Sequence, residues 1–362
     1  MKYLSLSMKL THVSLIVALT TLAVSFLSCN SNTDTANSTV SVTRKNCNAI
    51  YHWKTVFNPD STEWNFIKRH NIGRLYVRMF DVANDPTTNL WSDDNRIIPI
   101  GTTRFLQQIP DSIEVVPTVF ITMDAFKTIN GSLTGELAQK IFNRVSAMCV
   151  ANNIPNVHEI QIDCDYDEYH DWVFDDFCKK MKELLPDTMV LSATIRLHQL
   201  RSKQQLPSID RGVLMVYNTG NIRSPKTKNS ILDINDIKPY FNRSLYTKIP
   251  LDVAYPTFQW SLLFRNNSFK GILHRMNWDD TILYQPIDSN RYRVLCNHNC
   301  GETALKEGDI IRTETSDIDM ILQAKRKFEE KLNFGSTILY HLDNKNLSTY
   351  STDEIHKIYT GR

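Results

Sequence analysis

The segment Glu159-Ile-Gln-Ile-Asp163-Cys-Asp165-Tyr-Asp167-Glu168 decides the fold of this chain. Side chains alternate across a β-strand, so the acidic and amide residues at odd positions share one face and the apolar residues share the other. Such a strand suits a closed barrel, because its apolar face packs on surrounding helices while its acidic face points into the barrel axis. The segment therefore predicts a barrel strand that brings Asp163, Asp165 and Asp167 to the C-terminal rim.

Short apolar runs recur along the chain with amphipathic, helix-like stretches between them, which is the pattern of a parallel sheet. The eight runs are 49–53, 74–80, 114–121, 157–163, 189–195, 212–217, 249–254 and 337–342. Amphipathic stretches include 136–150, 169–185 and 318–332, and a capping box at Ser351 introduces a final helix. The sequence has no glycine-rich phosphate loop. We therefore predict an α/β fold, a (β/α)8 TIM barrel over residues 45–362.

The spacing of the runs breaks once, between the seventh and the eighth. Residues 257–315 are too many for an ordinary loop. Short strands at 282–284, 292–296 and 309–312 predict a small β-rich insertion that lies beside the barrel mouth as a lid.

The first 29 residues predict export. Lys2 and Lys9 precede an apolar run over 13–27, which is too short to span a membrane as a mature helix. Phe26-Leu-Ser-Cys29 resembles a lipobox, so we expect Cys29 to be lipidated and residues 30–44 to form a flexible polar tether. The alternative is an ordinary cleaved signal with an incidental cysteine. No dense acidic run follows Cys29, so the expected place is the cell envelope, on the periplasmic side or at the outer membrane.

Composition and motifs exclude several other classes of function. The net charge is +2 and the basic residues are scattered, so nucleic acid is not an expected partner. No serine-hydrolase or zinc-protease motif is present. Cys296-Asn-His298-Asn-Cys300 lacks a second ligand pair, which leaves a short-loop disulfide or two free thiols as its open alternatives. We expect a monomer without a metal or a cofactor.

The acidic cluster has its own chemical consequence. Several carboxyls on one strand face repel each other, so at least one should have a raised pKa and hold a proton near neutral pH. A carboxyl of that kind can act as a general acid. A hydrogen-bonded structural network and an oxygen-ligand metal site are the alternatives.

Two motifs resemble the chitinase-like barrels of glycoside hydrolase family 18. Asp163-x-Asp165-x-Asp167 resembles the Asp-x-x-Asp-x-Asp-x-Glu strand of that family, and Met215-Val-Tyr217-Asn218 resembles its Met-x-Tyr-Asp/Asn motif. The motifs fall on the fourth and sixth predicted strands, in the family's order. The chain is also similar to bacterial barrel proteins that share a Gln-hydrophobic-Asp-x-Asp strand.

The resemblance implies hydrolysis of N-acetylhexosamine glycans by a substrate-assisted retaining mechanism. It makes Asp167 the acid and Asp165 the residue that orients the acetamide; Asp163 would tune Asp165, and Tyr217 would hydrogen-bond the acetamide oxygen. The chain departs from the pattern at Ile160, which replaces the first Asp, and at Asp167, which is one methylene shorter than Glu. Whether the barrel is a glycosidase or a lipoprotein that binds glycans without cutting them therefore stays open.

Other candidates come from the predicted strand ends, where barrel proteins collect their binding residues. Aromatic rings can stack on a pyranose, and arginines can bind carboxylates or sugar hydroxyls. The predicted substrate-binding residues are Trp53, Arg78, Arg196, Asn218, Tyr255, Trp260, His341 and Asp343. Further rim candidates are His52, Asp81, Asp124, His198 and Asp252.

Overall fold

The computed structural model describes residues 45–85, 87, 97–129, 131–200, 206–241, 247–273, 276 and 280–361. The predicted signal segment, Cys29 and the tether lie outside these residues. No helix in the described part of the chain is long and apolar enough to cross a membrane.

The strands and helices follow one another as predicted for an alternating α/β chain. In chain order the strands are β1 (Asn48–His52), β2 (Val56–Phe57), β3 (Ile72–Asn84), β4 (Ile97–Ile100), β5 (Arg104–Phe105), β6 (Glu114–Ile121), β7 (Glu159–Cys164), β8 (Val190–Arg196), β9 (Arg211–Met215), β10 (Leu251–Pro256), β11 (Gln259–Arg265), β12 (Ser268–Leu273), β13 (Tyr284–Pro286), β14 (Arg291–Val294), β15 (His298–Cys300), β16 (Thr303–Leu305), β17 (Ile310–Thr315) and β18 (Phe334–Tyr340). The helices are α1 (Ser61–Arg69), α2 (Met123–Lys127), α3 (Thr134–Ala151), α4 (Asp171–Leu184), α5 (Ile234–Phe241), α6 (Ile318–Glu329), α7 (Asn344–Leu347) and α8 (Thr352–Thr360).

Eight parallel strands of the described residues close into a barrel. Their order is β1, β18, β10, β9, β8, β7, β6 and β3, and β3 pairs with β1 to complete the ring. Each of the eight predicted apolar runs overlaps one barrel strand, so the (β/α)8 prediction is confirmed. The predicted capping box is also present, formed by Ser351 and Glu354 at the start of α8. At the start of α6, the Asp317 side chain accepts a hydrogen bond from the backbone N–H of Met320.

Alternation along β7 separates the two sides of the barrel wall. Ile160, Ile162 and Cys164 join the core between the strands and the helices. Gln161 points inward, where its side-chain oxygen accepts a hydrogen bond of 2.7 Å from the Tyr51 hydroxyl. The next inward position is Asp163, so the face predicted from the sequence is the face observed.

The insertion between β10 and β18 folds as antiparallel β-structure. Strands β12, β11, β17, β14 and β13 form one sheet in that order, and β15 pairs with β16. The sheet has its own core of Leu263, Leu273, Tyr284, Val294, Leu305 and Ile311. The three short strands expected here correspond to β13, β14 and β17, shifted by one to three residues, whereas β11, β12, β15 and β16 were not anticipated.

The Cys296–Cys300 segment is not closed by a disulfide, because the Cys296 thiol is free. His298 lies between these two residues, and it contacts the Tyr284 hydroxyl at 2.7 Å and the Cys296 carbonyl oxygen at 2.9 Å. Among the described residues, no group of three or more His, Cys, Asp or Glu side chains is placed to hold a metal ion.

Candidate functional site

A cavity of about 540 Å³ lies at the C-terminal mouth of the barrel, where the parallel strands end. Aromatic rings and polar groups line it together: Trp53, Phe120, Asp163, Asp165, Arg196, Tyr217, Asn218, Phe258, Gln259, Trp260, Ile272, Tyr340, His341, Asp343, Lys345 and Asn346. Most of these residues end a barrel strand or follow one directly, which is where barrel proteins bind their ligands. The structure therefore brings most of the predicted site residues to one cavity.

Asp163 lies at the inner end of this cavity, one residue before β7 ends. Its carboxylate accepts a hydrogen bond of 2.7 Å from the Thr194 hydroxyl and lies 3.4 Å from Nη2 of Arg196. Burial raises the pKa of Asp163, although Arg196 opposes the shift. The raised pKa expected for one carboxyl of this cluster thus belongs to Asp163.

Arg196 is the positive charge between the two acids. It ends β8, beside β7, and its Nε donates a hydrogen bond to Oδ1 of Asp165. Burial alone would lower the pKa of the guanidinium, but the carboxylates of Asp163 and Asp165 outweigh burial and raise it. Arg196 therefore stays charged and is the ion partner of both carboxyls.

Asp167 does not line the cavity. Because β7 ends at Cys164, strand alternation stops before this residue. Its carboxylate contacts Nδ1 of His170 at 2.5 Å, accepts from the backbone N–H of Tyr169 and lies 3.9 Å from the Lys127 amine. The hydrogen bond with His170 lowers the pKa of Asp167, which is the direction opposite to that expected of a general acid.

A row of rings forms one wall of the cavity. Centroid distances are 5.6 Å from Trp53 to Tyr340, 5.7 Å from Tyr340 to Phe258 and 5.1 Å from Phe258 to Trp260. Tyr217 packs on Tyr340 at 5.2 Å, and its hydroxyl donates to the sulfur of Met215 at 3.0 Å. Trp53 and Trp260, both predicted as site residues, are the two ends of the row.

The remaining predicted residues on the cavity wall come from two loops. Asn218 follows β9 with a positive φ of 54°, a conformation that asparagine tolerates better than most residues. His341 and Asp343 follow β18, and Asp343 lies 3.4 Å from the Lys54 amine. Burial lowers the pKa of His341 to about 4, so its imidazole is neutral at pH 7.

Tyr255 was expected at the rim, and this prediction is wrong. The seventh barrel strand continues to Pro256, so Tyr255 falls on the same face as Val253 and packs in the outer core. The amine of Lys325 on α6 lies 5.6 Å from the centre of its ring. Tyr255 therefore faces the helices and not the cavity.

Arg78 and Asp252 contact other side chains of the barrel and do not line the cavity. Nε of Arg78 donates to Asp81 at 2.6 Å, and its guanidinium lies 5.9 Å from the centre of the Trp53 ring, so Arg78 supports Trp53 without lining the cavity. Asp252 accepts from the Ser336 backbone N–H at 2.7 Å and pairs with Arg211 inside the barrel.

Three further rim candidates lie away from the cavity. His52 faces outward and packs on Phe57 at 4.8 Å. Asp124 is exposed in the first turn of α2. His198 borders a smaller neighbouring cavity of about 440 Å³, which shares Asp165, Arg196, Tyr217 and Asn218 with the first.

Sequence reasoning missed three rings of the wall, namely Phe120, Phe258 and Tyr340. Tyr340 ends β18 and Phe120 is the neighbour of Asp163 across the β6–β7 pair. Their inward orientation follows from the same alternation that predicted Asp163, so the signal was present. Phe258 follows β10 in the two-residue connection to β11, where no strand alternation applies.

Fold and site together define a (β/α)8 barrel with an aromatic cavity that holds three aspartates and one arginine at its C-terminal mouth. No family model matches the chain. No curated protein matches it either.

Solved structures similar to this chain are distant from it. The spore cortex-lytic enzyme SleL of Bacillus cereus is 12% identical over 88% of this chain and 75% of its own, with a TM-score of 0.47. A chitinase from Bacteroides thetaiotaomicron is 10% identical over 88% of this chain and 98% of its own, with a TM-score of 0.48. The chitinase ChiB of Flavobacterium johnsoniae is 12% identical over 88% and 95%, with a TM-score of 0.43. At these values we draw no conclusion about activity from the likeness.

Proposed function

We propose that the cavity binds a glycan and that this barrel is a glycan-binding protein without hydrolytic activity. The observation that carries the proposal is the charge arrangement: Arg196 holds Asp165, and Asp167 lies outside the cavity. Aromatic rings stack on the apolar faces of pyranoses, and carboxylates and guanidinium groups hydrogen-bond hydroxyls. The row from Trp53 to Trp260 beside Asp165 and Arg196 supplies both kinds of contact.

Hydrolysis by the mechanism that the motifs imply needs an acid within reach of the glycosidic oxygen. Asp167, which holds the acid's place in the motif, is committed to His170 and Lys127, and its pKa is lowered. Binding therefore agrees better with the geometry than cleavage does.

Acid-assisted retaining hydrolysis of an N-acetylhexosamine glycan is the second candidate, and one observation favours it. Asp163 lines the cavity and burial raises its pKa, which is the direction that a general acid requires. In that mechanism Asp163 would be the acid, and Tyr217 would contact the acetamide oxygen.

The two candidates separate in one experiment with N-acetylglucosamine oligosaccharides. We expect the protein to gain melting temperature with the oligosaccharide and to leave it intact, because a ligand that binds only the folded state stabilises it. Trp53→Ala should abolish the gain. Trp172→Ala removes a tryptophan that is 60% exposed on α4, outside the cavity, and should leave the gain unchanged.

Depletion of the oligosaccharide would favour hydrolysis over binding alone. A panel in which no N-acetylhexosamine glycan changes the melting temperature or is depleted would reject both candidates.

We also propose that Cys29 anchors the barrel to a membrane of the cell envelope through lipid. The support is the lipobox-like sequence Phe26-Leu-Ser-Cys29 and the polar tether after it. We expect Cys29→Ser to move the protein from the membrane fraction to the soluble fraction and to abolish incorporation of a labelled fatty acid. Cys47→Ser is the matched control, because Cys47 lies beyond the tether; equal labelling of wild type and Cys29→Ser would reject the anchor.

A further inference from the structure

The insertion sheet presents one face to the barrel mouth, and two of its strands put a tryptophan opposite a glutamate on that face. Trp260 of β11 is the direct antiparallel partner of Glu314 of β17, and Leu262 is the partner of Arg312. Directly opposed residues of antiparallel strands lie on the same face of the sheet. The other face carries Leu263 and Ile311, which belong to the core of the insertion.

Glu314 is buried, and its carboxylate accepts four hydrogen bonds. It is 2% exposed. Its Oε2 accepts from Nε1 of Trp260 at 2.7 Å and from the backbone N–H and hydroxyl of Ser230 at 2.9 and 2.5 Å. Its Oε1 accepts from Nε of Arg312 at 2.6 Å. A single carboxylate thus joins the indole at the cavity to the loop that follows β9.

Arg312 extends the same network. It is 0% exposed, and its Nη1 and Nη2 donate to the backbone oxygens of Ser224 and Ile222 at 2.7 and 3.4 Å. Its guanidinium lies 4.9 Å from the centre of the Phe264 ring. Burying two charges costs free energy, and removal of either partner leaves the other uncompensated. The buried Arg312–Glu314 pair connects the β9–α5 loop to the insertion sheet at a cost in free energy, which suggests a role beyond stability.

We propose that Glu314 is a positioning residue that fixes the Trp260 ring as the second stacking platform of the cavity. The proposal rests on the proposed glycan binding and narrows its ligand to an oligosaccharide, because Trp53 and Trp260 are the two ends of the ring row and one sugar cannot stack on both. A ring that is already fixed loses little conformational freedom when the ligand arrives, so affinity depends on Glu314 although Glu314 does not line the cavity.

Glu314→Gln tests the proposal, because an amide has one acceptor oxygen where the carboxylate has two. Either Arg312 or Trp260 then loses its acceptor. We expect the affinity for a linear tetramer of N-acetylglucosamine, measured by calorimetry, to fall about tenfold, the loss expected for one hydrogen bond to a charged group. The melting temperature of each variant shows whether it folds.

Two matched controls accompany this variant. Ser230→Ala removes another donor to Oε2 of Glu314 but leaves the indole bond in place, so the affinity should stay within about twofold. Glu183→Gln makes the same chemical change on α4, where the side chain is 62% exposed, and should change nothing.

The indole N–H of Trp260 provides a readout that a merely structural role for Glu314 would not move. In wild type, its resonance in a spectrum of ¹⁵N-tryptophan-labelled protein should lie downfield and exchange slowly with solvent, since the hydrogen bond goes to a buried carboxylate. The resonance is assigned by its loss in Trp260→Phe. In Glu314→Gln it should move upfield together with the loss of affinity.

The outcomes distinguish the positioning role of Glu314 from the proposed glycan binding. A Trp260 indole that exchanges in wild type as fast as that of exposed Trp172 would overturn the positioning role, even if Glu314→Gln does not fold. A folded Glu314→Gln with unchanged resonance or unchanged affinity would do the same. Wild-type protein that binds no tetramer, with the slow indole present, would reject the proposed function for this glycan and with it the oligosaccharide assignment.

Discussion

At the scale of single residues, Arg196 sets the charge of the cavity. It lies between Asp163 and Asp165, whose carboxylates would otherwise face each other without a counter-charge. The sequence predicted the two acids together on the fourth barrel strand and Arg196 as a separate rim candidate at the end of the fifth. Their pairing depends on the register of β7 beside β8, which a sequence without its partner strand does not specify.

Replacing Arg196 tests this pairing. We expect Arg196→Gln to lower the free energy of unfolding by about 2 kcal/mol, less than the roughly 3–5 kcal/mol of a fully buried pair, because Asp165 is 47% exposed. The pKa of Asp163 should rise further and glycan affinity should fall. Denaturant unfolding and calorimetry measure these effects. Arg326→Gln, on the exposed side of α6, is the control; equal stability of the two variants would contradict the pairing.

A substitution at Asp167, unlike one at Arg196, should not weaken glycan binding. Because its carboxylate is held outside the cavity by His170, Asp167→Asn should leave glycan affinity within about twofold of wild type. The same titration with Asp163→Asn, which changes a carboxyl that lines the cavity, should show a clear loss. If hydrolysis is observed in wild type and Asp167→Asn abolishes it without loss of binding, then Asp167 is the acid that the motif implied.

At the scale of elements, strand alternation was a reliable guide only as far as each strand extends. It placed Gln161 and Asp163 correctly because both lie within β7. It failed for Asp167, which follows the strand end, and for Tyr255, where the strand is longer than the apolar run suggested. Strand ends depend on neighbouring strands and loops, so residues at the rim are the hardest to orient from sequence.

The β11–β12 hairpin shows a signal that sequence analysis did not use. Its turn residues Asn266 and Asn267 both have positive φ, 51° and 60°. Two consecutive residues of positive φ are typical of the type I′ turn, which favours Asn and Gly and joins antiparallel strands tightly. An Asn-Asn pair between apolar runs therefore predicts a hairpin at this position.

Substitutions at Asn267 test whether the positive φ of this turn is what stabilises the hairpin. Asn267→Ala should lower the free energy of unfolding by about 1 kcal/mol, because alanine tolerates the left-handed region poorly. Asn267→Gly should be neutral or slightly stabilising, since glycine adopts this conformation freely. Denaturant unfolding distinguishes the two. Equal destabilisation by both substitutions would mean that the asparagine side chain, and not the backbone conformation, stabilises the turn.

At the scale of the whole molecule, barrel closure places His52, which is buried, close to His341, which lines the cavity. His52 ends β1 and His341 follows β18, and these two strands are neighbours in the ring. The sequence marked both as rim candidates but could not show how far each ring is buried. Nδ1 of each ring is buried and has no hydrogen-bond partner among the described residues. Protonation of His52, which is 1% exposed, would therefore place a charge in the protein interior.

The lowered pKa values of these two histidines should make the folded state less stable in acid. Burial lowers the pKa of His52 to about 3 and that of His341 to about 4, against about 6.5 in the unfolded chain. Above pH 6.5 both imidazoles are neutral in the folded and in the unfolded chain. Below pH 6.5 the unfolded chain binds protons that the native state excludes. The free energy of unfolding therefore falls by up to about 1.4 kcal/mol per pH unit for each histidine until the native pKa is reached. Asp163, whose pKa is raised by burial, acts in the opposite direction. We expect denaturant unfolding between pH 7 and pH 4.5 to show this loss, and His52→Leu to reduce its slope while His356→Gln, on the exposed face of α8, does not. An identical slope in wild type and a folded His52→Leu would show that the loss arises elsewhere, because a neutral side chain at this position removes the only proton that His52 can contribute.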